Sequence, residues 1–585
     1  MDNRLVHSRP SGRFSVSYFV ILLAIAVVAV GCTPSTASQH VISEDDYPHL
    51  EKRGDVTQLI VNSEPWLVLG CELGNSTSSS KEYMEEYWEK LSESGVNTVL
   101  AAVGWEQVEP EEGKYDFTVV DNLLDGARRH DLKLALLWFG SWKNGITSYD
   151  PIWVKTDTKR FPLAQTDEGK NLPVLSTLGE ETCKADSKAF AAMMQHVKDC
   201  DSNEQTVVMV QMENEVGILG YSRDYSPLAN KAYEGQVPNQ LTAYLKAHKD
   251  SLLPETLSAW EKGGCRMEGS WEEVFGKNER TAEIFMAWNY ASYMNRISKA
   301  GKECYNIPIF VNAWIVQPED SYPGDYPSGG PQAQNHDIWR AAAPDIDILC
   351  PDIYLNDFPE IINMYSRGGN AVFVPESRAG QNGAGNAAYA IGHCGAIGYS
   401  PFGFESNCDS EDNITFCELY KRLSSVSEKV LSAQASGDIG AVWLKGSEPM
   451  LVKDDILLGG VRITCELVSS GMRNGGAPQL TGGTYNPSDA GYVIAIAEAD
   501  TILFLGSNAR VTFKPKDDTG IIGLAKVVEG DFDADGNWKD GRWLNGDQIQ
   551  LRYDLPYAVE EGYSGQGLNF QTPHPQFIKV QLFKY

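Results

Sequence analysis

Val207-Val208-Met209-Val210-Gln211-Met212-Glu213-Asn214-Glu215-Val216-Gly217 runs apolar for most of its length and then stops abruptly in two carboxylates and an amide. So short and apolar a run reads as a strand buried on both faces, as in a parallel sheet covered by helices. Charge at the end of such a strand must shift in pKa or find a partner, and in a parallel barrel the C-terminal strand ends form the catalytic face. A second segment repeats the pattern. Ala371-Val372-Phe373-Val374 leads into Pro375-Glu376-Ser377-Arg378, placing another carboxylate at a strand exit 161 residues beyond Glu215.

Outward from these two strands, residues 57 to 435 alternate short apolar runs with longer amphipathic stretches, the texture of βα units. The expected strands are Trp66–Cys71, Asn97–Val103, Leu134–Phe139, Val207–Met212, Pro308–Ala313, Ile346–Cys350, Ala371–Val374 and Ala396–Tyr399, with helices over Glu82–Ser94, Val119–His130, Ser187–Asp199 and Ala282–Ala300. Eight such units predict a (β/α)8 TIM barrel. The fourth and seventh strands then face each other across the mouth, where Glu215 and Glu376 converge. The stretches 216 to 281 and 315 to 337 exceed what a connection needs and are expected to shape a site. Gly383-Ala384-Gly385-Asn386-Ala387-Ala388 imitates a dinucleotide fingerprint, with Glu405 further on. That motif turns directly out of a strand, whereas polar residues separate this one from Val374, so it reads as an ordinary glycine-rich loop.

Past Gly437 the texture changes to alternating runs, Gly491–Ala497, Thr501–Leu505 and Arg510–Phe513, separated by Gly, Asn and Asp turns. Residues 436–585 are therefore expected to form a C-terminal β-sandwich. Asp531-Phe532-Asp533-Ala534-Asp535-Gly536 imitates a calcium loop, but Arg542 stands where its bidentate Glu belongs, so a hairpin turn is expected.

At the other end, Arg4, Arg9 and Arg13 precede the 12-residue apolar run Phe19–Val30, the length of a signal segment and short of the roughly 20 residues a spanning helix needs. Ala29-Val30-Gly31-Cys32 resembles a bacterial lipoprotein signal, with Ala29 where an aliphatic residue is usual. Residues 1–31 are read as signal peptide, Cys32 as the lipidation site and 32–56 as a tether. The expected location is the cell envelope, on its periplasmic or outer-membrane surface. Cleaved secretion and a plain membrane anchor are the alternatives.

The 585 residues carry 49 Lys plus Arg against 79 Asp plus Glu, a net charge of −30 that repels a nucleic-acid partner. A neutral partner such as a carbohydrate fits better, and 14 Trp offer flat apolar faces to sugar rings. Trp105, Trp138, Trp142 and Trp314 follow strands two, three and five and are candidate platforms, with core packing the competing reading. Eleven Cys and nine His are dispersed without CxxC or HExxH spacing, so neither a metal nor a cofactor is expected. The Cys are read as buried thiols, with Cys408–Cys417 or Cys183–Cys200 as the pairs spacing would allow to bridge. The oligomeric state is not legible.

Two acids at one mouth suit glycoside cleavage. One, its pKa raised by burial and its neighbour, protonates the leaving oxygen; the other stays ionised and attacks the anomeric carbon. Glu213 and Glu215 share strand parity, so alternation does not choose between them. Here a resemblance enters. Gln211–Gly217 is similar to the ENE-Y-G segment of glycoside hydrolase family 35, and Gly95-Val96-Asn97-Thr98-Val99, Trp105-Glu106-Gln107-Val108-Glu109-Pro110 and Gly113-Lys114-Tyr115-Asp116-Phe117 resemble its segments around strand two. The resemblance implies a retaining β-galactosidase acting on galactosyl groups of plant-type glycans. It makes Glu215 the acid/base, leaves Glu213 structural, and gives Glu376 the nucleophile role. Asn214 would bind the sugar 2-hydroxyl and Tyr354 would hydrogen-bond the nucleophile. Leu137–Gly145 departs from the family's usual strand-three segment, which leaves glucosides, xylosides and arabinosides as alternative substrates. A salt bridge to Arg378 is the competing reading of Glu376. A non-catalytic glycan-binding lipoprotein is the rival from another class.

Overall fold

A computed structural model describes residues 43–446, 453–468, 490–517, 519–533, 536–549 and 564–585. Cys32 and the signal segment lie outside them. Eight parallel strands close a barrel: β1 Val68–Glu72, β2 Thr98–Gly104, β3 Lys133–Lys143, β4 Val207–Asn214, β5 Ile309–Trp314, β6 Ile348–Ile353, β7 Val374–Ser377 and β8 Gly398–Pro401. The seam is β8 on β1, with Gly398 opposite Val68 and Tyr399 opposite Leu69. All eight overlap the predicted runs, although β7 begins only at the last expected residue, Val374, and β8 two residues late, at Gly398. Most continue past the last apolar residue, because polar residues at the mouth stay in register, as Trp314 does opposite Asp352 and Lys143 opposite Asn214.

The barrel floor is apolar. Val68, Leu100, Leu137, Val208, Phe310 and Phe373 share one cluster with Leu59 and Val61. The last two belong to a three-stranded antiparallel sheet, His49–Arg53, Val56–Val61 and Glu64–Trp66. The stretch read as a tether thus already carries regular structure at His49–Arg53, paired with the strand whose Leu59 and Val61 point into the floor. Outside the barrel, helices Glu180–Asp201 and Glu279–Cys304 pack side by side.

Beyond the barrel, a six-stranded antiparallel sheet runs in the order Ile439–Lys445, Ala490–Glu498, Thr501–Ser507, Gln576–Lys584, Ile522–Phe532, Trp538–Trp543. It faces a four-stranded one of Lys453–Leu458, Val461–Leu467, Ala509–Pro515 and Gly567–Phe570. Val442, Leu444, Val493 and Phe504 meet Ile463, Val511 and Phe513 between the sheets. The alternate residues Ala441, Tyr492, Ile494 and Leu505 join the barrel-side core with Leu423 and Val430. Both faces of the central strands of the six-stranded sheet are therefore buried, alternate residues going to opposite cores, while the edge strand Trp538–Trp543 stays largely exposed. Ile522–Phe532 and Trp538–Trp543 pair as a hairpin around the calcium-loop imitation, of which residues 534–535 are not described.

Two expectations are corrected. The glycine-rich stretch is no loop but lies within helix Gly380–Gly392, almost wholly buried. Its glycines serve close packing: a Cβ on Gly385 would lie 2.0 Å from the Trp443 ring. Nor do Cys408–Cys417 or Cys183–Cys200 bridge; all ten described cysteines are free, and Cys417 Sγ instead contacts the Cys408 carbonyl at 3.2 Å.

Candidate active site

β4 ends in irregular backbone. Glu213 and Glu215 both adopt positive φ, 55° and 45°, a conformation that costs a non-glycine residue about 1–3 kcal/mol where surrounding contacts enforce it. Those contacts are identifiable. The Glu213 carboxylate turns under β3 and accepts the backbone N–H groups of Gly140 (3.1 Å), Ser141 (3.0 Å) and Trp142 (2.9 Å). Gly140 leaves room for it, since a Cβ there would lie 2.9 Å from Glu213 Oε1. The Glu215 N–H donates to Asn312 Oδ1 at 3.0 Å. The two glutamates that strand parity leaves equivalent thus diverge, Glu213 into the scaffold and Glu215 into the mouth.

β7 delivers Glu376 to the same place. Ser377 anchors the strand end by donating to the Ile353 carbonyl at 2.6 Å, and the Tyr399 hydroxyl holds the next residue through the Arg378 carbonyl at 2.6 Å. Tyr354, just past β6, donates to Glu376 Oε1 at 2.6 Å. Arg378 does not salt-bridge Glu376; its guanidinium lies over the Tyr354 ring, 5.9 Å from the centroid. Carboxylate oxygens of Glu215, Glu376 and Asp352 lie within 4.8 Å of one another.

Crowding sets the electrostatics. Burial, then the neighbouring Glu376, pushes Glu215 up to about 7, against the opposing pull of Lys143 and Asp352. Glu376 is also raised by burial, but the Tyr354 hydroxyl and Lys143 oppose the rise. Asp352 is driven well up by burial and by both glutamates. One carboxyl that keeps its proton up to about pH 7 beside one whose rise a tyrosine hydroxyl and a lysine oppose is the division acid–nucleophile chemistry needs.

Four further residues of the mouth escaped the sequence reading. Lys143, buried, donates to Asn214 Oδ1 at 2.6 Å and fixes that amide, leaving Asn214 Nδ2 without a partner. Asn312 links Glu215 to Asp352, donating to Asp352 Oδ2 at 2.7 Å. Glu72, at the end of β1, is fully buried with neither carboxyl oxygen hydrogen-bonded, and its pKa is raised by burial and by Glu376. The polar-after-apolar signal that exposed Glu215 and Glu376 also marks Glu72, Asn312 and Asp352, which follow the apolar runs of strands one, five and six. The three carboxylates of Glu215, Asp352 and Glu376 are also close enough to offer oxygen ligands to a hard cation.

Three of the four proposed sugar platforms, Trp105, Trp138 and Trp142, are corrected. Trp105 (0% exposed) donates to Glu109 Oε2 and packs edge-on against Trp153, while Trp142 (1%) donates to the Leu175 carbonyl and packs against Tyr290 and Tyr293. Rings enclosed in this way have no face to offer. Trp138 is likewise buried, donating to Asp186. Trp314, half-buried opposite Asp352, remains at the mouth.

Parts of the chain are similar to known proteins. A family profile described as "Beta-galactosidase", glycoside hydrolase family 42, matches residues 75–262. That match lies within the barrel and covers about a third of the chain; the profile is that of family 42, not of family 35. A second profile, a domain of unknown function (DUF5597), matches residues 416–555. The human "Beta-galactosidase-1-like protein 3" is 29% identical over 161 residues, 25% of this chain and 22% of that protein, so the match spans about a fifth of the relative's length. Among solved structures, a β-galactosidase from Bacillus circulans sp. alkalophilus aligns with TM-score 0.41 at 16% identity, over 62% of this chain and 57% of that one. The catalytic domain of a β-amylase from Paenibacillus polymyxa aligns with TM-score 0.42 at 12% identity, over 62% and 98%.

Proposed function

We propose that the protein is a retaining β-glycosidase that removes terminal galactose from plant-type oligo- or polysaccharides. The observation that carries this reading is the approach of Glu215 and Glu376 oxygens to within 4.8 Å. Retaining enzymes hold their carboxyls about 5–5.5 Å apart, whereas inverting ones need about 6.5–9.5 Å to admit a water between them. Glu376, held by Tyr354, attacks the anomeric carbon as Glu215 gives its proton to the departing oxygen. The covalent glycosyl-enzyme forms, and Glu215, now ionised, takes a proton from the water that releases the sugar. Asn214, its oxygen occupied by Lys143, has its Nδ2 donor free for the 2-hydroxyl. Galactose as the sugar rests on the family 35-like motif and on the names of the relatives. Export and lipid anchoring at Cys32 rest on the signal-like N-terminus, and the division at residues 435/436 on the change of sequence texture.

Following the product anomer by NMR during hydrolysis of nitrophenyl β-galactoside tests the reading. The β-anomer should appear first and mutarotate afterwards. Initial release of the α-anomer would overturn the mechanism, and turnover confined to glucosides, xylosides or arabinosides would overturn the sugar.

A further inference from the structure

On the outer wall of the barrel, helices Thr118–Arg129 and Glu180–Asp201 bring together three side chains of different metal-binding chemistry. His196 and Cys200 are four residues apart on the second helix, so both project from one face of it. Asp121 reaches them from the first turn of the other helix. Its Oδ1 lies 2.7 Å from His196 Nε2, and one ligand atom from each of the three residues, Cys200 Sγ included, lies within 4.8 Å of the others. No linear motif marks the group, because Asp121 stands 75 residues before His196, and an expectation of no metal drawn from spacing along the chain does not reach it.

Thiolate, imidazole and carboxylate are the three donor types zinc accepts, at bond lengths of about 2.0–2.3 Å that set tetrahedral ligands about 3.3–3.6 Å apart. The His196–Asp121 pair need open only slightly and the thiol swing inward. The imidazole plane is already fixed, since the Phe117 ring stacks on it with 4.3 Å between centroids and 13° between planes. Phe117 caps the helix that carries Asp121, so one helix end supplies both a ligand and the backing of the other ligand's ring. Solvent reaches the group: Asp121 and Cys200 are exposed and the His196 side chain is 26% exposed, which leaves a fourth position for water. Arg128, the nearby cation, is engaged elsewhere, with the Cys200 carbonyl (2.9 Å), Asp201 (2.6 Å) and Glu204 (2.7 Å). Those contacts tie the same two helices together, so the three ligands are held close by the fold itself. A surface ion pair accounts for His196 and Asp121 alone; a zinc ion uses the thiol as well.

We propose that Asp121, His196 and Cys200 form a zinc site that clamps the two helices on the barrel wall, with water as the fourth ligand. On binding, the Cys200 thiol gives its proton to solvent. The metal takes the place of the proton between His196 Nε2 and Asp121 Oδ1, and the imidazole keeps its proton on Nδ1. The site shares no residue with the barrel mouth, so the glycosidase reading neither requires it nor falls with it.

The test uses the full chain, stripped of metal with EDTA, and the metal ion alone as probe. Calorimetric titration should show zinc uptake, and cobalt(II) in place of zinc should give a thiolate-to-cobalt charge-transfer band in the near ultraviolet. Cys200→Ser should abolish that band. Cys200→Ser, His196→Ala and Asp121→Asn should each lower the zinc affinity at least about tenfold, a loss that even an outer-shell partner of a metal ligand causes. All three positions face solvent, and circular dichroism checks that the variants fold. A wild type that takes up no zinc or shows no thiolate band would overturn the site. So would a band that persists in Cys200→Ser, or a zinc affinity unchanged in any of the three variants, which is the outcome expected if the carboxylates of the barrel mouth bind the metal instead.

Discussion

The two ends of the barrel are built from the same strands and obey opposite rules. At the floor, Val68, Val208, Phe310, Ile348 and Phe373 fill the space with hydrocarbon. A few residues further along, the same strands present Glu72, Glu215, Asn312, Asp352 and Glu376, with Lys143 the cation that acts on Glu72, Glu215 and Glu376. The floor lowers the free energy of the fold by burying apolar area. The mouth raises it, because like charges are gathered out of water and the Glu213 and Glu215 backbone is held at positive φ. Substitutions at the mouth should therefore alter rate with little loss of stability, and substitutions at the floor the reverse.

The largest effect is expected at Glu376. Glu376→Ala removes the proposed nucleophile and should lower kcat about 10⁴-fold or more. Azide added to this variant should restore turnover and yield a glycosyl azide of inverted configuration; the same product from Glu215→Ala instead would exchange the two roles. Glu215→Gln should cost about 10²–10⁴-fold on substrates with poor leaving groups and less on nitrophenyl glycosides, whose leaving group needs little protonation. Equal losses on both would remove Glu215 from the acid role. At the floor, Phe373→Ala opens a cavity against Phe310, whose ring centroid lies 5.2 Å away. It should cost about 3–5 kcal/mol in denaturant unfolding while the folded fraction keeps its kcat. A large fall in kcat with unchanged stability would contradict the division between the ends.

This division explains what could be read from sequence. Apolar runs give the eight strands, and a sudden carboxylate after such a run gives Glu215 and Glu376, because both signals are local along the chain. The same signal marks Glu72, Asn312 and Asp352, which pass unread when only two strands are followed to their ends. Trp105 and Trp142 fail for a different reason. A strand-end position does not say whether an indole turns into the mouth or beneath a helix, and Tyr290 and Tyr293, which enclose Trp142, come from a helix nearly 150 residues away. The helix Gly380–Gly392 fails because each glycine costs about 1 kcal/mol in helix propensity, so the local preference opposes the outcome. Tight seating against Trp443 and Ala441 of the C-terminal sheet overrides it. Lys143 lies in the one segment that departs from the family pattern, so no motif points to it.

The smallest expected effect is the most diagnostic of how the mouth is balanced. The proposed mechanism needs Glu376 ionised and Glu215 protonated, so kcat/KM should fall as pH drops through the raised pKa of Glu376, and fall again as pH rises above about 7, where Glu215 loses its proton. Lys143 pulls both groups down. Lys143→Met should accordingly move both limbs of the profile to higher pH, by about one unit, the equivalent of about 1.4 kcal/mol of lost charge interaction at each carboxyl. Lys143→Arg keeps the cation and should leave the limbs near their original positions, although its planar fork does not reproduce the contact to Asn214. A shift of only one limb would mean that Lys143 acts by orienting Asn214; limbs that do not move would mean that burial and the carboxyls themselves, not the ammonium, set the electrostatics of the mouth.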